Sequence, residues 1–355
     1  MNPSLNLEQL LASIPHFDQA SADAAQARQN TLTKPQGSLG DLEKLSIQIA
    51  GITANLQAPV EPAGVVLAAA SHGICEEGVS AFPTEVTAQM VGNFLNGKAA
   101  INALARNAQA EVFVVDAGVG PSCPDDAQLH QLGFGKGTAN FAQQPAMTAE
   151  QAQVIIERGA AFSKKLCQQG IRMISLGEMG IGNTTAAAAI TAVITDSSPS
   201  TTTGRGTMID DATWNHKVAV IENAIAKHLP DATDAIAILS SFGGYETGFL
   251  CGCILGAAAC RMPIILDGYP TTSAALLAAL LHPGIEDFII AGHCSTEPGH
   301  RLALDHLGLS PLLKLSMRLG EGSGATLAIP IVRAAVACLN EMATFEEAAV
   351  AGKAK

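Results

Sequence analysis

The chain reads as an α/β protein: a parallel sheet with helices on both faces, plus a small helical domain made from both termini. Three observations predict this. Short apolar runs ending in glycine or polar residues recur through the middle of the chain and alternate with helical patterns, as strands of a sheet covered on both faces do. Hydrophobic residues make up 48% of the 355 and charged residues only 15%, so a large buried core is expected. Aromatic residues are scarce at 4% while glycines number 34, which suits helices packed closely on a sheet better than a β-sandwich.

Taken in order, residues 5–54 carry helical patterns with no clear strand. Predicted strands then cover 64–70, 111–116, 171–176, 263–267 and 288–292. Helical patterns cover 84–107, 148–169, 184–195, 211–227, 245–260 and 271–281, with a polar loop at 198–207. Residues 323–351 are helical again. The expected division is a discontinuous helical domain, 1–60 with 323–355, beside a large α/β domain, 61–322, that carries the active site. Ligands of parallel sheets bind beyond the carboxyl ends of the strands. That nominates the loops that begin at Ser71, Asp116, Gly177, Asp267 and His293.

Composition narrows the function. A formal net charge of −12 argues against nucleic acid or an anionic membrane as partner, because those contacts need Lys/Arg patches. The start Met1-Asn2-Pro3-Ser4-Leu5 lacks a basic region followed by an apolar run. The apolar stretch 249–259 is interrupted by Gly252 and Gly256 and is too short to span a bilayer. A cytoplasmic protein is expected. The eight cysteines include no Cys-x-x-Cys pair, so Cys251 and Cys253 read as small buried hydrophobes. The nine histidines show no ligand spacing, so no metal is indicated.

The chemistry concentrates in Met317-Arg318-Leu319-Gly320-Glu321-Gly322-Ser323-Gly324-Ala325-Thr326. One carboxylate stands among alternating glycines, which let a ligand approach the backbone. The amides opening the following helix are expected to face an anion. Glu321 is then either a base beside a bound phosphate or a helix-terminal acid with Ser323 as N-cap. The turn Gly177-Glu178-Met179-Gly180-Ile181-Gly182-Asn183-Thr184-Thr185 follows a strand and opens a helix. It can line an anion site with backbone N–H groups, or be only a strand-to-helix turn. It is neither a Walker loop nor a dinucleotide fingerprint, since the spacing differs. Lys34-Pro35-Gln36-Gly37-Ser38-Leu39-Gly40 is a turn before a helix, capped by Ser38 or Asp41, from which Lys34 could reach a phosphate. Arg205, Lys217 and Arg318 are the cations placed near a ligand. His72 and His293 follow predicted strands and read as hydrogen-bonded loop residues or bases.

Together, Lys34-Pro-Gln-Gly-Ser-Leu-Gly, Gly177-Glu-Met-Gly-Ile-Gly-Asn-Thr-Thr, Ile265-Leu-Asp-Gly-Tyr and Met317-Arg-Leu-Gly-Glu-Gly-Ser-Gly resemble the nicotinate-nucleotide:dimethylbenzimidazole phosphoribosyltransferase family of cobalamin nucleotide-loop assembly. The resemblance covers nearly the whole chain in order. It implies a Rossmann-like large domain with a small helical domain from both termini, a homodimer, and neither metal nor cofactor. The implied substrates are nicotinate mononucleotide and a benzimidazole-type base, converted with inversion at C1′ to α-ribazole 5′-phosphate and nicotinate. Glu321 matches the family's catalytic base, and Glu178 a second acid that orders the ribose or partly substitutes as base. Gly180, Lys217, Ser295, Arg318 and Gly320 fall where the family holds the nucleotide, and Met179 and Leu319 where apolar side chains sandwich the heterocycle. Phe82 and Met90 stand where well-studied members present Ser and Gln to the base, and Ser71 where an acid is common. Stacking and shape then replace polar discrimination, and several bases, including adenine or phenolics, are expected to be accepted. Two rivals of another kind are a non-catalytic nucleotide sensor on the same fold and an ATP-dependent phosphotransferase; the latter lacks a phosphate-loop lysine motif.

Overall fold

Six strands form one sheet in the computed structural model, which describes residues 6–351. They are β1 (Ala63–Ala70), β2 (Ala110–Gly118), β3 (His130–Gln131), β4 (Met173–Met179), β5 (Ile264–Leu266) and β6 (Ile289–Ala291). All pair in parallel, in the order β3-β2-β1-β4-β5-β6. The order runs outward in both directions from the β1/β4 junction. A doubly wound sheet of this order opens its ligand crevice where the order reverses. The chain start and the extreme positions of the 1–60 and 323–355 grouping lie outside the described residues.

β1 shows why the sheet is covered twice. Val66, Ala68 and Ala70 enter one core cluster, and Ala63, Val65, Leu67 and Ala69 enter another. Alternate residues point to opposite faces, and all eight positions are buried. The helices are α1 (Leu7–Ala12), α2 (Gln19–Gln29), α3 (Asp41–Thr53), α4 (Glu85–Leu95), α5 (Ala100–Asn107), α6 (Ala149–Gln168) and α7 (Asn183–Ile194), followed by α8 (Pro199–Thr202), α9 (Asp211–His228), α10 (Ala235–Phe242), α11 (Tyr245–Ala259), α12 (Tyr269–Leu281), α13 (Pro298–His306) and α14 (Ser323–Glu341). Residues of α6, α7, α11 and α12 fill the first cluster, and those of α3, α4, α5 and α14 the second.

The two ends of the chain meet. The Arg28 side chain donates to the carbonyls of Leu339 (2.7 Å) and Met342 (3.2 Å), and Ala25, Ala50 and Leu339 form a small cluster. The first half of α14 lies on the sheet through Ala325, Ala328 and Ile329. α14 is apolar and long enough for a membrane span, but 56% of that window is buried within the fold.

Four expectations are corrected. The helical stretch 84–107 is two helices, because Gly97 turns left-handed (φ 69°) and Asn102 ties the break. The second terminal helix stops at Glu341 rather than continuing to 351. α8, α10 and α13 lie in stretches assigned to no helix; each is short, so periodicity is thin there. The turn at Lys34 also differs. Lys34 is buried against Glu43 at 2.7 Å and does not line the active-site cavity, and α3 has Gly40 at its N-cap, with no side-chain cap from Ser38 or Asp41.

Candidate active site

At the carboxyl ends of the strands lies a cavity of about 420 Å³, within the range of small-molecule sites. Glu178, Glu321, Gly180, Lys217, Ser295, Arg318, Gly320, Met179, Leu319, Phe82 and Met90 all line it. The loops after β4, β5 and β6 supply most of the wall, and the segment after β1 supplies Val79 and Ser80. Ser71 and the loop after β2 face a neighbouring open groove instead. Arg205 is not in the wall: its guanidinium pairs with Asp211 and donates to Ile209 O.

The loop carrying Glu321 is built from backbone packed on backbone. Gly320, Glu321 and Gly322 have φ of 85°, 63° and 81°. Three successive left-handed residues include a glutamate, a conformation that costs about 1–3 kcal/mol and concentrates at functional sites. Glu321 N donates to Glu178 O at 3.2 Å. A Cβ at Gly177 would lie 2.5 Å from Gly322 N and 2.6 Å from Glu321 C, and one at Gly320 would lie 2.7 Å from Glu178 Oε1. These glycines therefore seat one loop on the other, in addition to any access they give a ligand.

The amides opening α14 do not face a phosphate. Gly322 N, Gly324 N and Ala325 N donate to the Asp267 carboxylate at 3.2, 2.6 and 3.1 Å. Gly322 is the N-cap of α14, and Ser323, its first residue, does not cap it. Glu321 instead receives a different helix: Ile101 N, in the first turn of α5, donates to its Oε2 at 3.2 Å. Glu321 is 5% exposed. Burial raises its pKa above the usual value, the Ile101 amide opposes that rise, and Asp267 adds to it. It is thus a stronger base than a carboxylate simply sitting at a helix N-terminus.

Glu178 is also buried, and Asn183 Nδ2 donates to its carboxylate. Burial first, then Asp267 and Glu246, push its pKa well above the ordinary value, against the Asn183 bond. The polar end of the cavity is a linked set. Lys217 is 1% exposed and donates to Thr184 Oγ1 at 2.9 Å. Glu297 Oε1 accepts from Gly206 N at 3.1 Å, and Glu297 N donates to Ser295 Oγ at 3.3 Å. Burial lowers the Lys217 pKa to about 8, with Glu297 opposing. The apolar part contains Met90 and Met179, which pack on the same core cluster as Ile101. Phe82 and Leu319 are more than half exposed, at 53% and 56%, at the cavity wall.

The sequence nominates the loop of Asp267 and the turn containing Thr184 without giving either side chain a role of its own, and it does not mark Glu297. An acid directly after a parallel strand was the available signal for Asp267. Glu297 precedes an unforeseen short helix, and nothing in its neighbourhood marked it.

A family model described as phosphoribosyltransferase matches residues 14–350. The nicotinate-nucleotide–dimethylbenzimidazole phosphoribosyltransferase of Roseiflexus sp. (strain RS-1) is 49% identical over 347 residues, covering 98% of each chain. The chain belongs to this phosphoribosyltransferase family. The homologue of the same name from Geotalea uraniireducens is 46% identical over 345 residues, 97% of this chain and 98% of that one. The crystal structure of CobT from Thermus thermophilus superposes with a TM-score of 0.91 at 42% identity, covering 94% of this chain and all of that one. The cavity of this phosphoribosyltransferase-family chain is lined by a buried lysine, by hydroxyls, by apolar side chains and by two buried acids, Glu178 and Glu321.

Proposed function

We propose that this chain transfers the phosphoribosyl group of nicotinate mononucleotide to 5,6-dimethylbenzimidazole or a related base, with Glu321 as general base. One ring nitrogen of the neutral base bonds to C1′ from the face opposite nicotinate. The C1′–nicotinate bond breaks, and its electron pair returns to the pyridine nitrogen, so the pyridinium ring leaves as an uncharged pyridine, its carboxylate still ionised, without an added proton. The proton on the other ring nitrogen of the incoming base becomes acidic as the bond forms and passes to the Glu321 carboxylate. Lys217, Thr184 and Ser295 suit the phosphate end, and Met90, Met179, Leu319 and Phe82 suit the ring. Holding both ligands together supplies much of the acceleration.

The observation that carries the role of Glu321 is its buried carboxylate, fixed by Ile101 N at 3.2 Å in the wall of that cavity. A general base contributes about 10²–10⁴ in rate, or roughly 2.7–5.4 kcal/mol. Glu321→Gln should lose that much turnover while nicotinate mononucleotide still binds; turnover within about tenfold of wild type would remove the role. Mass spectrometry of products from nicotinate mononucleotide and a mixture of bases tests the reaction and the breadth of base choice together. Nucleotide binding with no nicotinate released on adding any base would favour the sensor reading. The apolar Phe82 and Met90 favour several products; a single product with dimethylbenzimidazole would count against that. The reading also carries a cytoplasmic homodimer, which light scattering on the purified chain and cell fractionation test.

A further inference from the structure

We infer that Asn102 is a positioning residue for the proton-accepting carboxylate: it ends one helix, begins the next, and so aims the amide of Ile101 at Glu321. This rests on Glu321 being the base, as proposed above.

The sequence from 84 to 107 has the pattern of one continuous helix, yet it breaks. Asn102 Nδ2 donates to Phe94 O at 3.0 Å in the last turn of α4, and its Oδ1 accepts from Ala99 N at 3.0 Å at the start of α5. The side chain is buried, so both bonds form away from water. Had the helix run on, the amide of Ile101 would bond the carbonyl four residues back and be unavailable. The break makes it one of the orphan donors of a helix start.

What takes that donor is decided by Ala99. Position 99 is the N-cap of α5 and has no side-chain acceptor, where Ser, Thr, Asp or Asn would normally hold an amide of the first turn. The Ile101 amide is thereby left for a group from elsewhere in the chain, and Glu321, 220 residues away, occupies it. α5 and α14 pack in one core cluster, so the base is held between the start of one helix and the loop before the other. The charges that face Glu321 from other elements are Asp267, at the end of β5, and Glu178, on β4; Arg318, on its own loop, lines the same cavity.

Two variants separate positioning from mere folding. Asn102→Ala removes both side-chain bonds and should lower the melting temperature. Ala99→Ser supplies the missing cap, competes for the Ile101 amide, and should leave the melting temperature equal or higher. Both should weaken the hold on Glu321. The measurement is kcat with nicotinate mononucleotide and dimethylbenzimidazole across about pH 5 to 9, with the melting temperature of each variant and Glu321→Gln as reference. Loss of an amide that favours the ionised form moves the acidic limb of kcat upward by about one pH unit, lowers kcat, and leaves the nucleotide KM unchanged. An unmoved limb in both folded variants overturns the inference, as does a change confined to the destabilised Asn102→Ala. Full activity in Glu321→Gln would instead overturn the underlying assignment of the base.

Discussion

Asp267 Oδ1 accepts the amide of Gly324 at 2.6 Å, and with that bond the end of β5 takes over the helix terminus that the glycine run would otherwise offer a ligand. The same carboxylate also holds Gly322 N and Ala325 N. An internal acid thus clamps the loop on which Glu321 is carried, and in the proposed reaction the phosphate falls to Lys217 and its hydroxyl neighbours.

Asp267→Asn should release that clamp. An amide oxygen can keep part of the set, but its NH2 would face backbone N–H groups. Hydrogen bonds to a charged group are worth about 1.5–3 kcal/mol each, so a loss of about 3 kcal/mol is expected, together with lower turnover. Urea denaturation and amide exchange at Gly322, Gly324 and Ala325 read this. Unchanged protection at those three amides would show that Asp267 is not the clamp.

Gly177→Ala should displace the Glu321 loop without touching a ligand. Its Cβ would meet Gly322 N at 2.5 Å, and both atoms belong to constrained backbone. Overpacking of this kind costs about 1–3 kcal/mol. Turnover should drop more than the nucleotide KM rises, and steady-state kinetics would expose the opposite split.

Lys217 predicts a pH dependence with a definite sign. Its pKa is lowered to about 8 by burial. Between about pH 8 and the ordinary lysine value of about 10.4, the unfolded chain binds more protons than the folded one. Stability of the free protein should therefore rise with pH through that window. Phosphate binding needs the protonated amine and should weaken over the same range. Lys217→Met should keep or raise the melting temperature of the free protein, flatten that rise, and weaken nicotinate mononucleotide about 10–150-fold, the worth of one charged hydrogen bond. Calorimetric titration at several pH values checks both; undiminished nucleotide affinity would remove Lys217 from the phosphate end.

Glu178→Gln should be far milder than Glu321→Gln. Burial and neighbouring acids raise the Glu178 pKa well above normal, so a neutral amide resembles the form it favours. A change within about tenfold in kcat is expected, below the usual cost of a lost base. The folded chain binds the extra proton, so stability contributed here is present at low pH and is lost as pH rises through the folded pKa. The variant should lose that part of the slope in a pH series of melting temperatures. A Glu178→Gln defect as deep as that of Glu321→Gln would mean the two acids share the proton transfer.

Much of this molecule was legible because local patterns carry it. β1, β2, β5 and β6 are apolar runs bounded by turn residues, and α6, α7, α9, α11 and α12 fall within about two residues of their periodicity, the usual margin for helix ends. β4 begins two residues later than predicted, at Met173, and ends three later, at Met179, so that Glu178 stands in the strand rather than in the turn after it; the Ile171 amide closes the turn out of α6 on Leu166 O. β3, with two residues, is too short to leave a pattern.

The amino-acid order by itself determined the parallel sheet, the loops at its carboxyl edge and the two glycine-flanked acids, because strand alternation, helical period and glycine spacing are properties of neighbouring residues. Only the folded chain decided who faces whom. Lys34 meets Glu43, Arg205 meets Asp211, three amides of α14 turn to Asp267, and Ile101 turns to Glu321. Several of these partners are separated by tens to hundreds of positions, and a charge or an orphan N–H carries no local mark of which distant group will satisfy it.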